Sequence, residues 1–298
     1  MVSLRERIER HLAGNWREDL APAWRRFFEN VEPVMDDLPD WDAPEVFPPR
    51  LALGRPREDA DEVPCRHMTR AFDDLIPERV RVVIIGQDPY PSQPRATGRA
   101  FEDGAWNEAQ PAKIAVSLRR LLQSAASASR GDLGITEDRS DWPSVRAAIA
   151  AGELAPPAMP GFFDALASRD VLSVNAAWTF TSSQQRVLDT HIRIWRPVME
   201  QLLLKLLRRE GDPPLVFLLL GRKAQDRFRE ATWQHFQNHP ARNVELVYCA
   251  HPKAWTGRTY FEHDNPFVRI NEALDRLESP PIEWWPRNLA GQRALAVH

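Results

Sequence analysis

The chain has 298 residues, 43% hydrophobic and 27% charged, with a formal net charge of −3. This length and balance suit one soluble α/β domain, and the charge argues neither for nor against a polyanionic partner, since a local basic groove can coexist with an acidic remainder. The two cysteines, Cys65 and Cys249, exclude a disulfide framework and a four-thiolate metal site, and they suit a reducing cytoplasm.

The N-terminal stretch MVSLRERIERHLAGNW is too charged for a signal peptide, and the longest strongly apolar run, Leu215 to Leu220, is far shorter than a membrane span. A soluble, cytoplasmic protein with no membrane partner is expected. Trp16, Leu20, Trp24, Phe27 and Phe28 recur at helical spacing and predict an amphipathic scaffold helix within residues 1–35. The proline-rich and acidic residues 36–66 read as a loop insertion.

Val82 to Ile85 predict a buried strand that breaks into the polar turn Gly86, Gln87, Asp88, Pro89 and Tyr90. Helical spacing follows over Ile114 to Leu122, and residues 130–160, with Pro156, Pro157 and Pro160, read as a second loop insertion. Val171 to Val174 predict a strand ending in NAAW, and His191 to Leu207 a helix. Leu215 to Leu220 predict a strand ending in GRKAQ, Lys223 to Glu230 a helix, and Val244 to Cys249 a strand ending in HPKAW. Alternating strands and helices predict an α/β three-layer sandwich on a mostly parallel four-stranded central sheet. Residues 1–298 are expected to form a single domain. Because carboxyl ends of parallel strands share one sheet edge, the four polar signatures are expected to build one site.

The blocks GQDPYPSQPRATGRAF (86–101), LSVNAAWTF (172–180) and AHPKAWTGRTYFEHDNPFVRIN (250–271) resemble, in order, the water-activating, base-reading and DNA-inserting motifs of family 1 uracil-DNA glycosylases. VFPP at 46–49, LVFLLLG at 215–221 and PIEWW at 281–285 extend the likeness. The resemblance implies a monomeric, metal-free and cofactor-free DNA glycosylase that flips a pyrimidine nucleotide out of single- or double-stranded DNA and hydrolyses its N-glycosidic bond. Uracil is the family's default base. A DNA-mimic inhibitor protein is an expected partner.

The chemistry of that cleavage explains the residue types. A flipped base needs an aromatic plate and an amide on its Watson–Crick edge, and Phe101 and Asn175 are the candidates. Charge separation requires an anion near the sugar and donors near the base oxygen; Asp88 suits the first, His251 and the backbone N–H of Gln87 the second. By resemblance, Tyr90 walls off the 5-position of the base and excludes thymine. Outside any matching motif, His191 and His67 read as structural histidines.

Some positions depart from the family pattern. Pro91 replaces the usual histidine, and SQPRATGR over 92–99 replaces a glycine-rich neutral loop and brings Arg95 and Arg99. Lys113 and Lys253 stand where small hydroxyl residues contact phosphates, and Trp255 stands at the leucine wedge, with Thr256 and Arg258 beside it on the expected DNA-contacting loop. These changes open an alternative, a defence enzyme that removes a bulky 5-modified cytosine from phage DNA, with Pro91, Arg95 or Arg99 contacting the substituent. An inactive DNA-binding sensor and a Schiff-base lyase role for Lys253 are further readings. A zinc deaminase is excluded because its Cys ligands are missing, and no G-x-S-x-G elbow or P-loop is present.

Overall fold

Uninterrupted apolar runs pair best where both faces of a sheet are covered, and four such runs do so here. The computed structural model describes residues 2–51, 66–105, 114–136, 138, 141–155, 161–239, 243–254, 259–262 and 264–285. Its strands β1 (Val82–Gly86), β2 (Val171–Asn175), β3 (Leu215–Leu220) and β4 (Val244–Cys249) pair in the order β2-β1-β3-β4. All three pairings are parallel.

Alternation along the strands divides the core into two clusters. Val83, Ile85, Leu172, Val174, Phe217 and Leu219 face the first, together with helices α1 (Leu4–His11), α2 (Pro22–Phe27), α6 (Gln185–Leu207) and α7 (Arg222–Asn238). Val82, Ile84, Val171, Val216, Leu218 and Val247 face the second, with α3 (Val116–Ser129), α4 (Trp142–Ala150), α5 (Gly161–Ala167) and α8 (Pro266–Arg276). The expected three-layer α/β architecture is therefore present. Among the described residues no helix is long and apolar enough to cross a membrane.

Two stretches differ from expectation. The aromatic residues near the N-terminus do not form one helix: a 3-10 turn over Trp16–Asp19 ends before Pro22, which starts α2. Proline has no N–H to continue a helix but fits its first turn. Within 130–160, expected as loop, α4 forms because Trp142, Val145 and Ala148 make a buried face and Pro143 lies in its first turn.

The first cluster is held by an aromatic stack that leads toward the end of β2. Trp178 and Trp195 stack at 4.7 Å and 16°, and the indole N–H of Trp195 donates to Thr179 Oγ1 at 2.7 Å. His191 bridges Thr179 (2.9 Å) and Thr181 (3.0 Å). Burial pushes its pKa down to about 3, so it stands as the neutral structural histidine expected. His67 likewise lies between Thr69 (3.0 Å) and Asp73 (2.8 Å). Trp195 is fully buried, so Trp195→Ala is expected to cost about 3–5 kcal/mol, read as a lower urea midpoint at unchanged slope.

Candidate active site at the carboxyl edge of the sheet

The site begins where β1 and β2 end side by side, with Gly86 opposite Asn175 in the parallel register. The N–H of Ala176 donates to the Gly86 carbonyl and that of Ala177 to the Gln87 carbonyl, both at 2.9 Å. A Cβ on Gly86 would meet Asn175 Oδ1 at 2.3 Å, so only glycine allows the amide to lie across the end of β1. Asn175 is 3% exposed.

Phe101 lies on the loop after β1, with left-handed backbone at φ 66°, a conformation that disfavours a non-glycine residue. Its ring lies 6.5 Å from that of His251, tilted by 44°. The plate and the imidazole thus come together from segments 150 residues apart. Tyr90 packs beside Phe101 on the second cluster, and its hydroxyl reaches the Phe101 carbonyl at 3.3 Å.

His251 comes just after β4 and packs against the end of β3. Gly221 has φ 86°, and a Cβ there would meet His251 Cβ at 2.8 Å. The backbone N–H of Lys253 donates to His251 Nδ1 at 3.1 Å. Burial, reinforced by Lys253, Arg120 and Lys223, lowers the histidine pKa to about 4. A neutral ring that accepts at Nδ1 carries its proton on Nε2, so it offers one N–H donor.

Asp88 shows the opposite shift. Burial pushes its pKa up to about 6, against the pull of Lys223, Lys253 and a hydrogen bond from Gln87. The same two lysines act on both titrating groups, which ties Asp88 and His251 to one electrostatic environment. Lys223, at the start of α7, was not singled out in the sequence; its signal is the GRKAQ signature at a strand end. Arg120 was also missed, and its guanidinium donates to the Pro252 carbonyl, fixing the loop that carries His251. A cleft of about 160 Å³ lies beside these residues, lined by Gln87, Ala176, Asp189, Lys223 and Arg227 among others. Among the described residues, no group of three or more His, Cys, Asp or Glu is placed to hold a metal ion.

The loop expectations need one correction. Arg99 is not available to a base substituent: its side chain is 2% exposed and bonds to Asp164 at 2.5 Å and Asp74 at 2.6 Å, with Glu102 at 3.8 Å. A guanidinium this deeply buried is held by the carboxylates that compensate its desolvation. Arg95 is half-buried and pairs with Asp103 at 3.2 Å, whereas Pro91 and Lys253 are exposed. Lys113, Trp255, Thr256 and Arg258 lie outside the described residues.

An open parallel sheet whose carboxyl edge gathers an acid, a neutral imidazole, an amide and an aromatic ring defines an α/β protein with its candidate site at the edge where such sheets bind ligands. The family model of the uracil DNA glycosylase superfamily matches residues 73–275, and the chain belongs to that family. Its relatives include uracil-DNA glycosylases of Pediococcus pentosaceus, 28% identical over 73% of this chain and 77% of the relative, and of Corynebacterium efficiens, 28% identical over 91% and 94%. Solved structures share the fold. The UNG of Nitratifractor salsuginis covers 89% of this chain and 90% of its own, at TM-score 0.51 and 23% identity. Mimivirus uracil-DNA glycosylase covers 91% and 89% at TM-score 0.56 and 17% identity.

The raised pKa of Asp88 has a consequence for stability. An acid whose folded pKa lies above its unfolded value destabilises the fold above that folded pKa, and the penalty fades as pH falls to the unfolded value, 3.8. Asp88→Asn is therefore expected to stabilise the protein by about 1–3 kcal/mol at pH 8 and by little at pH 4, measured by urea unfolding at both.

Proposed function

We propose that the chain is a uracil-DNA glycosylase that flips a uracil nucleotide into the pocket and hydrolyses its N-glycosidic bond, leaving an abasic site. The observation that carries this reading is the pairing of opposite shifts at one sheet edge, an acid tuned to ionise near neutrality and an imidazole kept neutral. As the bond between C1′ and the base breaks, its electron pair leaves with the base and positive charge builds on the sugar. The Asp88 carboxylate stabilises that charge and orients the water that attacks C1′. The Nε2–H of His251 and the backbone N–H of Gln87 donate to the base oxygen that gains negative charge. Asn175 reads the Watson–Crick edge with its acceptor and donors, Phe101 stacks on the ring, and Tyr90 stands at the 5-position.

DNA is the partner in this reading, with Lys113, Lys253, Trp255, Thr256 and Arg258 on its backbone or in the gap left by the flipped nucleotide. A DNA-mimic inhibitor would occupy the same face; a mimivirus UNG variant of the same fold, TM-score 0.54 and 17% identical, was solved in complex with UGI. Withdrawal of Arg99 into the scaffold removes one of the contacts invoked for a modified-cytosine substrate and leaves Pro91 and Arg95.

Base release from matched oligonucleotides carrying uracil, thymine, hydroxymethylcytosine or its glucosylated form tests the proposal. Uracil release, lost by at least a hundredfold in Asp88→Asn, is expected. Silence on uracil with release of a modified base would overturn it. The pH profile of kcat/KM is expected to rise with pH through about 6 as Asp88 ionises. It should show no limb from His251 above pH 5, because that ring is already neutral there. If Lys253 contacts a phosphate, Lys253→Ala should lower the slope of log affinity against log salt by about 0.9, measured by fluorescence anisotropy.

A further inference from the structure

Ser117 lies in the first turn of α3, outside every motif that carries the family likeness, yet it touches the proposed pocket wall. Its Oγ is 2.9 Å from the Tyr90 hydroxyl oxygen. Tyr90 has one phenolic proton, and the Phe101 carbonyl at 3.3 Å accepts it. Ser117 then donates to the phenol oxygen, which makes a relay from Ser117 through Tyr90 to the Phe101 backbone.

This arrangement has a local cause. The N-cap of α3 is Ala115, which has no side chain to accept from the first turn. The hydroxyl of Ser117 in that turn is hydrogen-bonded instead to the phenol of Tyr90. The far end of the relay is anchored to a carbonyl at a strained position, since Phe101 has φ 66°. Phe101 also lines a small cavity of about 20 Å³, together with Ile84, Leu118, Leu121 and Ser173 among others.

We propose that Ser117 is a specificity-determining positioning residue, which pins Tyr90 and through it Phe101 so that the pocket admits a pyrimidine with hydrogen at its 5-position and rejects 5-substituted ones. The inference rests on the uracil reading above. Ser117 touches no base itself. Its hydroxyl acts by keeping the Tyr90 ring from yielding to a methyl or hydroxymethyl group, whereas the amide of Asn175 reads an edge that uracil and thymine share.

The test compares the full-length protein with Ser117→Ala and Ser117→Thr on oligonucleotides carrying uracil, thymine or 5-hydroxymethyluracil. Loss of one hydrogen bond is expected to cut the preference for uracil over 5-hydroxymethyluracil by about threefold to tenfold in Ser117→Ala. Ser117→Thr, which keeps the hydroxyl, is expected to restore it. The chain has three tyrosines, so 13Cζ-tyrosine spectra can follow Tyr90, assigned with Tyr90→Phe. Its signal should shift in Ser117→Ala while those of Tyr248 and Tyr260 stay, which separates a lost tether from general loosening. Uracil release by all variants with unaltered preference and an unmoved Tyr90 signal would overturn the inference alone. Failure of the wild type to release uracil would overturn the functional reading, and the specificity role of Ser117 with it.

Discussion

The close approach of Asn175 to Gly86 is the constraint on which the site depends. Two parallel strands in register end level with each other, so their last residues are neighbours. The exit of β1 is unusual because its last residue has no side chain. The amide of Asn175 occupies the volume a Cβ would take, with its Oδ1 2.3 Å and the Ala100 Cβ 2.9 Å from where that atom would stand, and so lies across the end of β1. Any side chain at position 86 would push away the group proposed to read the base. The bonds from Ala176 and Ala177 back to Gly86 and Gln87 keep the two exits parallel for two more residues. At β3 the logic repeats, since Gly221 leaves space for His251. Close packing of backbones at strand ends thus brings three separate segments to one point.

Electrostatics at that point derives from the same burial. Desolvation raises an acid and lowers a base, so one dry environment moves Asp88 and His251 in opposite directions without any specific partner. The nearby cations then act unequally. Lys223 and Lys253 pull Asp88 back toward ionisation and push His251 further from it. The acid is thereby kept usable near neutral pH, and the imidazole is never a cation there. The proposed reaction, which separates charge along a breaking bond, would use that asymmetry.

Much of this was legible in the chain because buried parallel strands are written as short apolar runs and their exits as polar signatures. The bounds of β3 and β4 match the apolar runs, and β1 and β2 each extend one residue, into Gly86 and Asn175. The features that were not legible depend on contacts between distant residues. An arginine on a polar loop reads as exposed, and nothing near Arg99 in sequence announces Asp164, 65 positions away. The helix over Trp142–Ala150 was obscured by flanking prolines and charges, although its buried positions recur every three residues. Ser117 and Arg120 escaped because each acts through a bond to another segment, and a single serine or arginine on a helix carries no signature of its partner.

The loop after Tyr90 shows how one need can be met by different means. Phe101, the ring proposed to stack on the base, has a strained backbone and lines a small cavity. The segment that carries it is fixed at its flanks by charge: Arg99 by Asp74 and Asp164, Arg70 by Asp73 and Asp164, and Arg95 by Asp103. Asp103 is fully buried and also accepts from the N–H groups of Ala105 and Ala115, joining the loop to the start of α3. Pairs with one buried partner contribute little net stability, because desolvating that charge offsets most of the attraction. Their effect is directional: each guanidinium has a set of partners that a displaced loop would leave uncompensated, so movement costs far more than the pairs are worth. The hydrogen bonds from Ser117 to Tyr90 and from Tyr90 to the Phe101 carbonyl join the backbone of the same segment to α3, so Phe101 is restrained by neutral contacts as well as by charge.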